Sequence, residues 1–417
     1  MLKKRNFWIT ASLLNLCITA FLGFCLRSKF LFPISFINYR YFISAHSHFA
    51  FGGWVTLALM TLFVYYLLPP QAAQRKIYQH IFWGIEITSL GMAVSFPFGG
   101  YTMISSAFAS FFILYTYAFV FVYIKDLSKT GINRSVKYLS IAALVCLFIS
   151  SVGPWTLAYI LSTNSGDSNL YREAVYTYLH FQYNGFFTLS IFAVFFHRIM
   201  NHLDEEGKRG IYQFTVLMIC TILPTLFLSL LWYRSLWIKY LAIFGSVLIL
   251  LTMIRFFLLK KFLHKRSYFN HPIAGVFWLF SILSFMIKML LQMGIVIPGL
   301  GDLVFGYRPI IIGFLHLIFL GFASFFILSV YIESDLFSFR IRLTKFSLVA
   351  FAFGVILNET ILLVQGIGLF MGYNHPAYAW LLWLAAIILF LSAGAIATAR
   401  IRSKKLIDNL GIEKSGV

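Results

Sequence analysis

Residues 39–54 read YRYFISAHSHFAFGGW, and two later stretches repeat their pattern. Residues 171–186 read YREAVYTYLHFQYNGF, and residues 307–322 read YRPIIIGFLHLIFLGF. All three fit Y-R-x7-H-x4-G-[FW], with successive copies 132 and 136 residues apart. A single copy would carry little weight, but three copies at nearly equal intervals indicate an internal repeat.

Apolar composition around these stretches predicts a membrane protein. Of the 417 residues, 60% are hydrophobic and 11% charged, which excludes a soluble enzyme, a nucleic-acid-binding domain and a disordered tail. About 20 apolar residues cross a bilayer as a helix. Twelve such runs occur, at about 7–26, 43–68, 78–98, 102–124, 136–160, 174–197, 211–231, 236–258, 273–298, 309–332, 344–372 and 376–400.

The three copies of the pattern lie on predicted spans 2, 6 and 10, so successive copies are four spans apart. We therefore predict an all-α polytopic membrane protein of about twelve helices, built as three four-helix arcs around a pseudo-threefold axis. Residues 1–417 would form a single membrane domain with repeats at roughly 1–135, 136–270 and 271–417.

Basic residues predict the orientation of the chain. The two ends and the loops after even-numbered spans hold 25 of the 33 Lys and Arg. Because loops rich in Lys and Arg stay on the cytoplasmic side, both termini are expected in the cytoplasm. We expect the membrane to be a bacterial inner membrane. The net charge of +20 then has anionic membrane lipid as its partner, and we expect no nucleic acid.

The repeated histidines are the candidate site. All three spans would run from outside to inside, so each Tyr-Arg pair lies at the outer interface and each His about 12 Å deeper. Histidine inside a membrane is costly unless it is hydrogen-bonded or bound to a metal, so a layer of three suggests ligands. The alternative is that each is a hydrogen-bonded packing residue. The proposed site residues are His48, His180 and His316, with Arg40, Arg308, Gly53 and Gly321.

A second histidine in the first copy, His46, leaves a choice open. His46 and His48 are two residues apart, about 200° around a helix, so both cannot face one ligand. We prefer His48 because it keeps the frame of the repeat, in which Tyr178 and Phe314 match His46.

Twelve spans with ligand histidines on spans 2, 6 and 10 resemble the heme–copper oxidase subunit I superfamily, and the local motifs look most like its nitric oxide reductase branch. His48 with Tyr65-Tyr66 and Pro69, His180 with Asn184-Gly185, and His316-Leu-Ile-Phe-Leu-Gly321 carry the resemblance. It implies that His48 and His316 bind one low-spin heme b as axial ligands, and that His180 belongs to a non-heme metal site.

Departures from the family pattern indicate a lost catalytic centre. Phe314 stands where the family has the high-spin heme ligand, the span from Ile211 to Tyr233 contains no His, and Asn184 replaces a Glu or Tyr. One remaining His does not hold copper, so copper is not expected and His180 is at most a residual ligand.

Three other ionisable residues lie inside apolar spans: Glu86, Lys288 and Glu359. We expect them to face the bundle interior. Lys288 and Glu359 are predicted at a similar depth, where they would form a structural ion pair or, alternatively, part of a proton path. The family's propionate-binding arginines between spans 11 and 12 are missing, and Arg40 and Arg308 would take their place.

Three functions follow. The first is a heme-b-binding protein that transfers electrons, from a donor protein on the outer face, or responds to a diatomic gas. The second is a heme-free transporter, assembly factor or scaffold on the same fold. The third is an active oxidase or nitric oxide reductase-like enzyme.

Overall fold

The computed structural model describes residues 1–163, 165–263, 269–297, 299–301 and 306–409. These residues form helices and connecting turns and contain no strand. Twelve long helices, named α1 to α12, correspond one to one to the predicted spans. Their bounds are α1 Leu2–Leu31, α2 Tyr39–Leu67, α3 Lys76–Gly99, α4 Met103–Ser128, α5 Arg134–Thr163, α6 Ser168–His180 with Phe181–Phe187 and Thr188–Ile199, α7 Glu205–Tyr233, α8 Leu236–Leu263, α9 Pro272–Gly294, α10 Arg308–Glu333, α11 Arg342–Phe370 and α12 Ala377–Asn409.

Eleven of these helices are long and apolar enough to cross a membrane, among the residues described. The remaining helix, α6, carries buried His180, Gln182 and Asn184 near its middle. The predicted all-α polytopic membrane fold is confirmed. Lys265 and Arg266, which contribute to the predicted orientation, lie outside the described residues.

Helices that follow one another in the chain pack side by side, and α12 packs against α1, which closes the bundle into a ring. Burial separates central from outer helices. In α2 the most apolar 18-residue window is 94% buried, whereas in α4 it is 28% buried. The central helix α2 contacts both α6 and α10.

A π-helical stretch follows the repeated histidine in each central helix. The three stretches are Ala50–Thr56, Phe181–Phe187 and Leu317–Ser324. A π-helical turn is wider than an α-helical turn and is frequent at functional sites. The stretches bring Phe51, Phe187 and Phe319 together, with ring centroids 4.4 to 5.7 Å apart. Interlocked aromatic rings therefore fill the centre of the bundle just below the histidines.

Helix starts follow local sequence signals. Asn38 and Asp167 accept hydrogen bonds from the first free backbone amides of α2 and α6, and Thr102 forms a capping box with Ser105 at α4. These polar caps satisfy amides that have no partner within the helix. The first turns of α2 and α6 are thus capped by residues that precede the repeated motif.

Candidate functional site

The amino-terminal halves of α2 and α10 are less buried than the segments that follow them. In Tyr39–Phe49 of α2 only Ala45 and Phe49 are buried, and in Arg308–His316 of α10 no residue is buried. By contrast, every residue of Leu57–Leu62 is buried. The residues around His46, His48 and His316 are therefore partly accessible.

His46 is held with one ring nitrogen free. Its Nδ1 donates to the carbonyl of Thr19 on α1, at 3.0 Å. A Cβ on Gly23 would lie 3.1 Å from Cε1 of His46, so glycine at this position makes room for the ring. Because Nδ1 carries the proton, Nε2 keeps its lone pair, and it makes no hydrogen bond within the described part of the chain.

His316 on α10 belongs to the same region. Its buried Nδ1 points towards the carbonyl of Ile312 one turn earlier but makes no hydrogen bond of good geometry with any described residue. Arg27 of α1 and His46 of α2 are near enough to His316 to act on it electrostatically.

His48 faces α3 instead. Its Nδ1 donates to the carbonyl of Ser44 at 2.9 Å, and its ring lies 4.7 Å from that of Phe96. The Tyr101 hydroxyl is 3.4 Å from Nε2 of His48. Because Nδ1 of His48 carries the proton, Nε2 is the acceptor and the Tyr101 hydroxyl is the donor.

The two histidines of the first copy contact different helices. His46 contacts α1 and His48 contacts α3, as expected for residues about 200° apart around α2. The choice between them as a ligand stays a prediction.

Two arginines, Arg27 and Arg308, lie near Tyr39 at the start of α2. The Arg308 guanidinium lies 4.7 Å from the centre of the Tyr39 ring. Arg27 interacts electrostatically with Tyr39, Arg308 and Glu359. Arg40 is exposed. The sequence analysis did not include Arg27 among the candidate site residues, because Arg27 directly follows the predicted first span. In the structure Arg27 lies inside α1, and an arginine within a membrane helix is a signal of function.

His180 uses both ring nitrogens within the protein. Its Nε2 donates to the carbonyl of Ile222 on α7 at 2.8 Å, and its Nδ1 accepts from Asn184 at 3.0 Å. A metal ligand needs a free lone pair, so this arrangement describes a bridge between α6 and α7 and does not fit the proposed residual metal site. No group of three or more His, Cys, Asp or Glu that could hold a metal occurs in the described ranges.

Lys288 is 2% exposed and has aromatic and sulfur neighbours. Its Nζ lies 3.7 Å from Sδ of Met289 and 6.0 Å from the centre of the Tyr183 ring. The predicted ion pair with Glu359 is wrong: Lys288 faces α6, whereas Glu359 accepts a hydrogen bond from Asn358 and faces Arg27. A small cavity beside Lys288 has room for about one water molecule and is also lined by Asn184, Met218, Thr221, Ile222, Thr225, Ile249, Met289 and Gln292.

The two repeated glycines pack against protein. A Cβ on Gly53 would lie 2.7 Å from the Phe49 ring, and one on Gly321 would lie 2.5 Å from Oγ of Ser284. They permit close packing inside the π-helical stretches. The carbonyl of Gly53 accepts from Asn15, which also donates to Glu86.

Comparisons with known proteins assign no family. No protein-family model matches the chain, and no curated protein matches its sequence. The fold defines an all-α integral membrane protein, and its central helices α2, α6 and α10 each carry a histidine of the repeated motif.

Proposed function

We propose that the protein binds one heme b between His46 and His316 in the outer half of the membrane, and uses it to transfer electrons or to respond to a diatomic gas. The observation that supports this most strongly is the hydrogen bond from Nδ1 of His46 to the carbonyl of Thr19. Histidines that bind metal commonly donate their other ring nitrogen to a carbonyl, which fixes the ring and directs Nε2 at the metal.

Other features of the same region fit a porphyrin. The amino-terminal halves of α2 and α10, which carry the two histidines, are only partly buried. Arg27 and Arg308 supply positive charge near the outer end, where propionates would be paired. The proposal therefore replaces His48 with His46 and Arg40 with Arg27.

The chain's own residues would set the properties of the bound group. When bound, heme would supply a one-electron redox centre, and ligation by two histidines would favour electron transfer over direct binding of a gas. Below the site, the Phe51, Phe187 and Phe319 cluster keeps water away from the histidines. Water exclusion and hydrogen bonding to a ligand are both known to tune redox potential.

Purified protein from heme-supplemented cells tests the proposal. We expect about one heme b per chain by pyridine hemochrome assay, with a reduced spectrum typical of six-coordinate iron. Protein that is folded yet lacks any chromophore would contradict the proposal and favour the heme-free transporter, assembly factor or scaffold. Turnover of oxygen or nitric oxide would favour the enzyme, although Phe314 and the hydrogen-bonded His180 argue against it.

The orientation and the external partner are part of the same proposal. We infer that both ends of the chain are cytoplasmic, in a bacterial inner membrane, so that the heme lies near the outer face and receives electrons from a protein there. Reporter fusions at residues 1 and 417 should both report a cytoplasmic location. A periplasmic signal from either end would contradict this topology.

A further inference from the structure

Arg255 is a cation inside a membrane helix and faces a groove at the surface of the bundle. It lies on α8, within the apolar span Leu236–Lys260. Its Nη2 donates to the amide oxygen of Gln213 on α7, and its Nε is buried without an acceptor in the described part of the chain. A neutral amide leaves the charge of the guanidinium uncompensated.

Among the described residues, no acidic side chain is paired with Arg255. The ion pairs found among the described residues involve Arg75, Arg198 and Lys208, and none includes Arg255. An arginine at membrane depth without a protein anion is costly unless it reaches the interface or a charged partner. The site therefore calls for an anion from outside the described chain.

The groove beside Arg255 changes from polar to apolar along α7. It has a volume of about 430 Å³ and is lined by Arg255, Tyr212, Gln213, Val216 and Leu217. Gln213 lies eight residues from the start of α7, which corresponds to a depth of about 12 Å. Val216 and Leu217 lie one turn deeper, so the groove runs from polar to apolar towards the membrane centre.

Further cations lie near the ends of α7 and α8 that are closest to the groove. Arg209 on α7 and Lys260 on α8 are both exposed and lie nearer the helix ends than Gln213 and Arg255. A phospholipid has the matching order of groups, with an anionic phosphate above and acyl chains below. We propose that this groove binds an anionic phospholipid, with the phosphate at Arg255 and an acyl chain along Val216 and Leu217.

Native mass spectrometry of the intact protein tests the proposal, using phosphatidylglycerol and phosphatidylcholine with identical acyl chains. For the first lipid bound, we expect about a fivefold preference for phosphatidylglycerol, because an interfacial cation contributes about 1 kcal/mol towards an anionic lipid. Arg255→Gln should reduce the ratio to near one. Val216→Trp, which fills the apolar end, should weaken the binding of both lipids.

Lys239→Gln is the matched control, since it removes an exposed cation from the other end of α8. It should keep the wild-type preference. Equal binding of the two lipids by the wild type, or an unchanged preference in Arg255→Gln, would overturn the proposal. A dimer that dissociates on Arg255→Gln would also overturn it, because a second copy of the chain would then cover the groove.

Discussion

Asn15 makes two buried hydrogen bonds that join three helices. Its Nδ2 on α1 donates to the carbonyl of Gly53 on α2 at 2.8 Å and to Oε2 of Glu86 on α3 at 2.7 Å. Asn15 is 1% exposed and Glu86 is 8% exposed. Replacing Asn15 with Leu keeps the approximate volume but leaves both acceptors without this donor.

The expected loss can be worked out from these contacts. Hydrogen bonds between membrane helices average about 0.6 kcal/mol, so two bonds give a lower limit of about 1 kcal/mol. A buried acceptor left unsatisfied costs about 1–3 kcal/mol, and the Glu86 carboxyl has no other described hydrogen-bond donor. We therefore expect Asn15→Leu to lower the free energy of unfolding by about 2–3 kcal/mol.

A double-mutant cycle isolates the Asn15–Glu86 contact. Glu86→Met should cost less than Asn15→Leu, because Asn15 keeps its bond to Gly53. The double variant has no buried carboxyl, so its loss should be smaller than the sum of the two single losses by about 1–2 kcal/mol.

The assay is titration with sodium dodecyl sulfate in mixed micelles, followed by the fluorescence of the nine tryptophans. Distant sites add within about 0.3–0.5 kcal/mol. A coupling energy inside that range would refute the contact and the packing of α1, α2 and α3 derived from it.

Four further substitutions test other parts of the structure by the same unfolding assay. Lys288→Met should stabilise the protein by about 1–3 kcal/mol, because it removes a buried cation without an acidic partner in the described chain; a loss of stability would reveal an anion bound there. Glu333→Gln should lower the free energy of unfolding by about 2–3 kcal/mol, since its fully buried carboxylate is paired with Arg198. Lys208→Gln, at an exposed pair, should lower it by under about 0.5 kcal/mol. Gly185→Val should destabilise strongly, because its Cβ would overlap a neighbouring α5 side chain; near-wild-type stability would show that α5 and α6 are farther apart.

Helix number and class could be predicted from the sequence because each span must satisfy its own backbone in lipid, which leaves long apolar runs as a direct signal. The repeated motif also predicts an equivalent position for the three histidines along their helices, and a π-helical stretch begins within two residues after each of them. The predicted boundaries of the three repeats stay a prediction.

The facing of individual side chains was not accessible to the same reasoning. His46 and His48 have almost the same depth, and only packing against Thr19 and Phe96 separates them. Similar depth also suggested the pairing of Lys288 with Glu359, although α9 and α11 turn these residues towards different neighbours. Contacts between distant helices decide such cases, and no local periodicity encodes them.

Identity of the axial ligands is the central claim, and spectra of four single variants test it most directly. The variants are His46→Ala, His316→Ala, His48→Ala and His180→Ala, each purified with its heme content measured. We predict that His46→Ala and His316→Ala lose heme or change from a six-coordinate to a five-coordinate spectrum, whereas His48→Ala and His180→Ala keep the wild-type spectrum. A wild-type spectrum in His46→Ala, together with a five-coordinate spectrum in His48→Ala, would contradict the account.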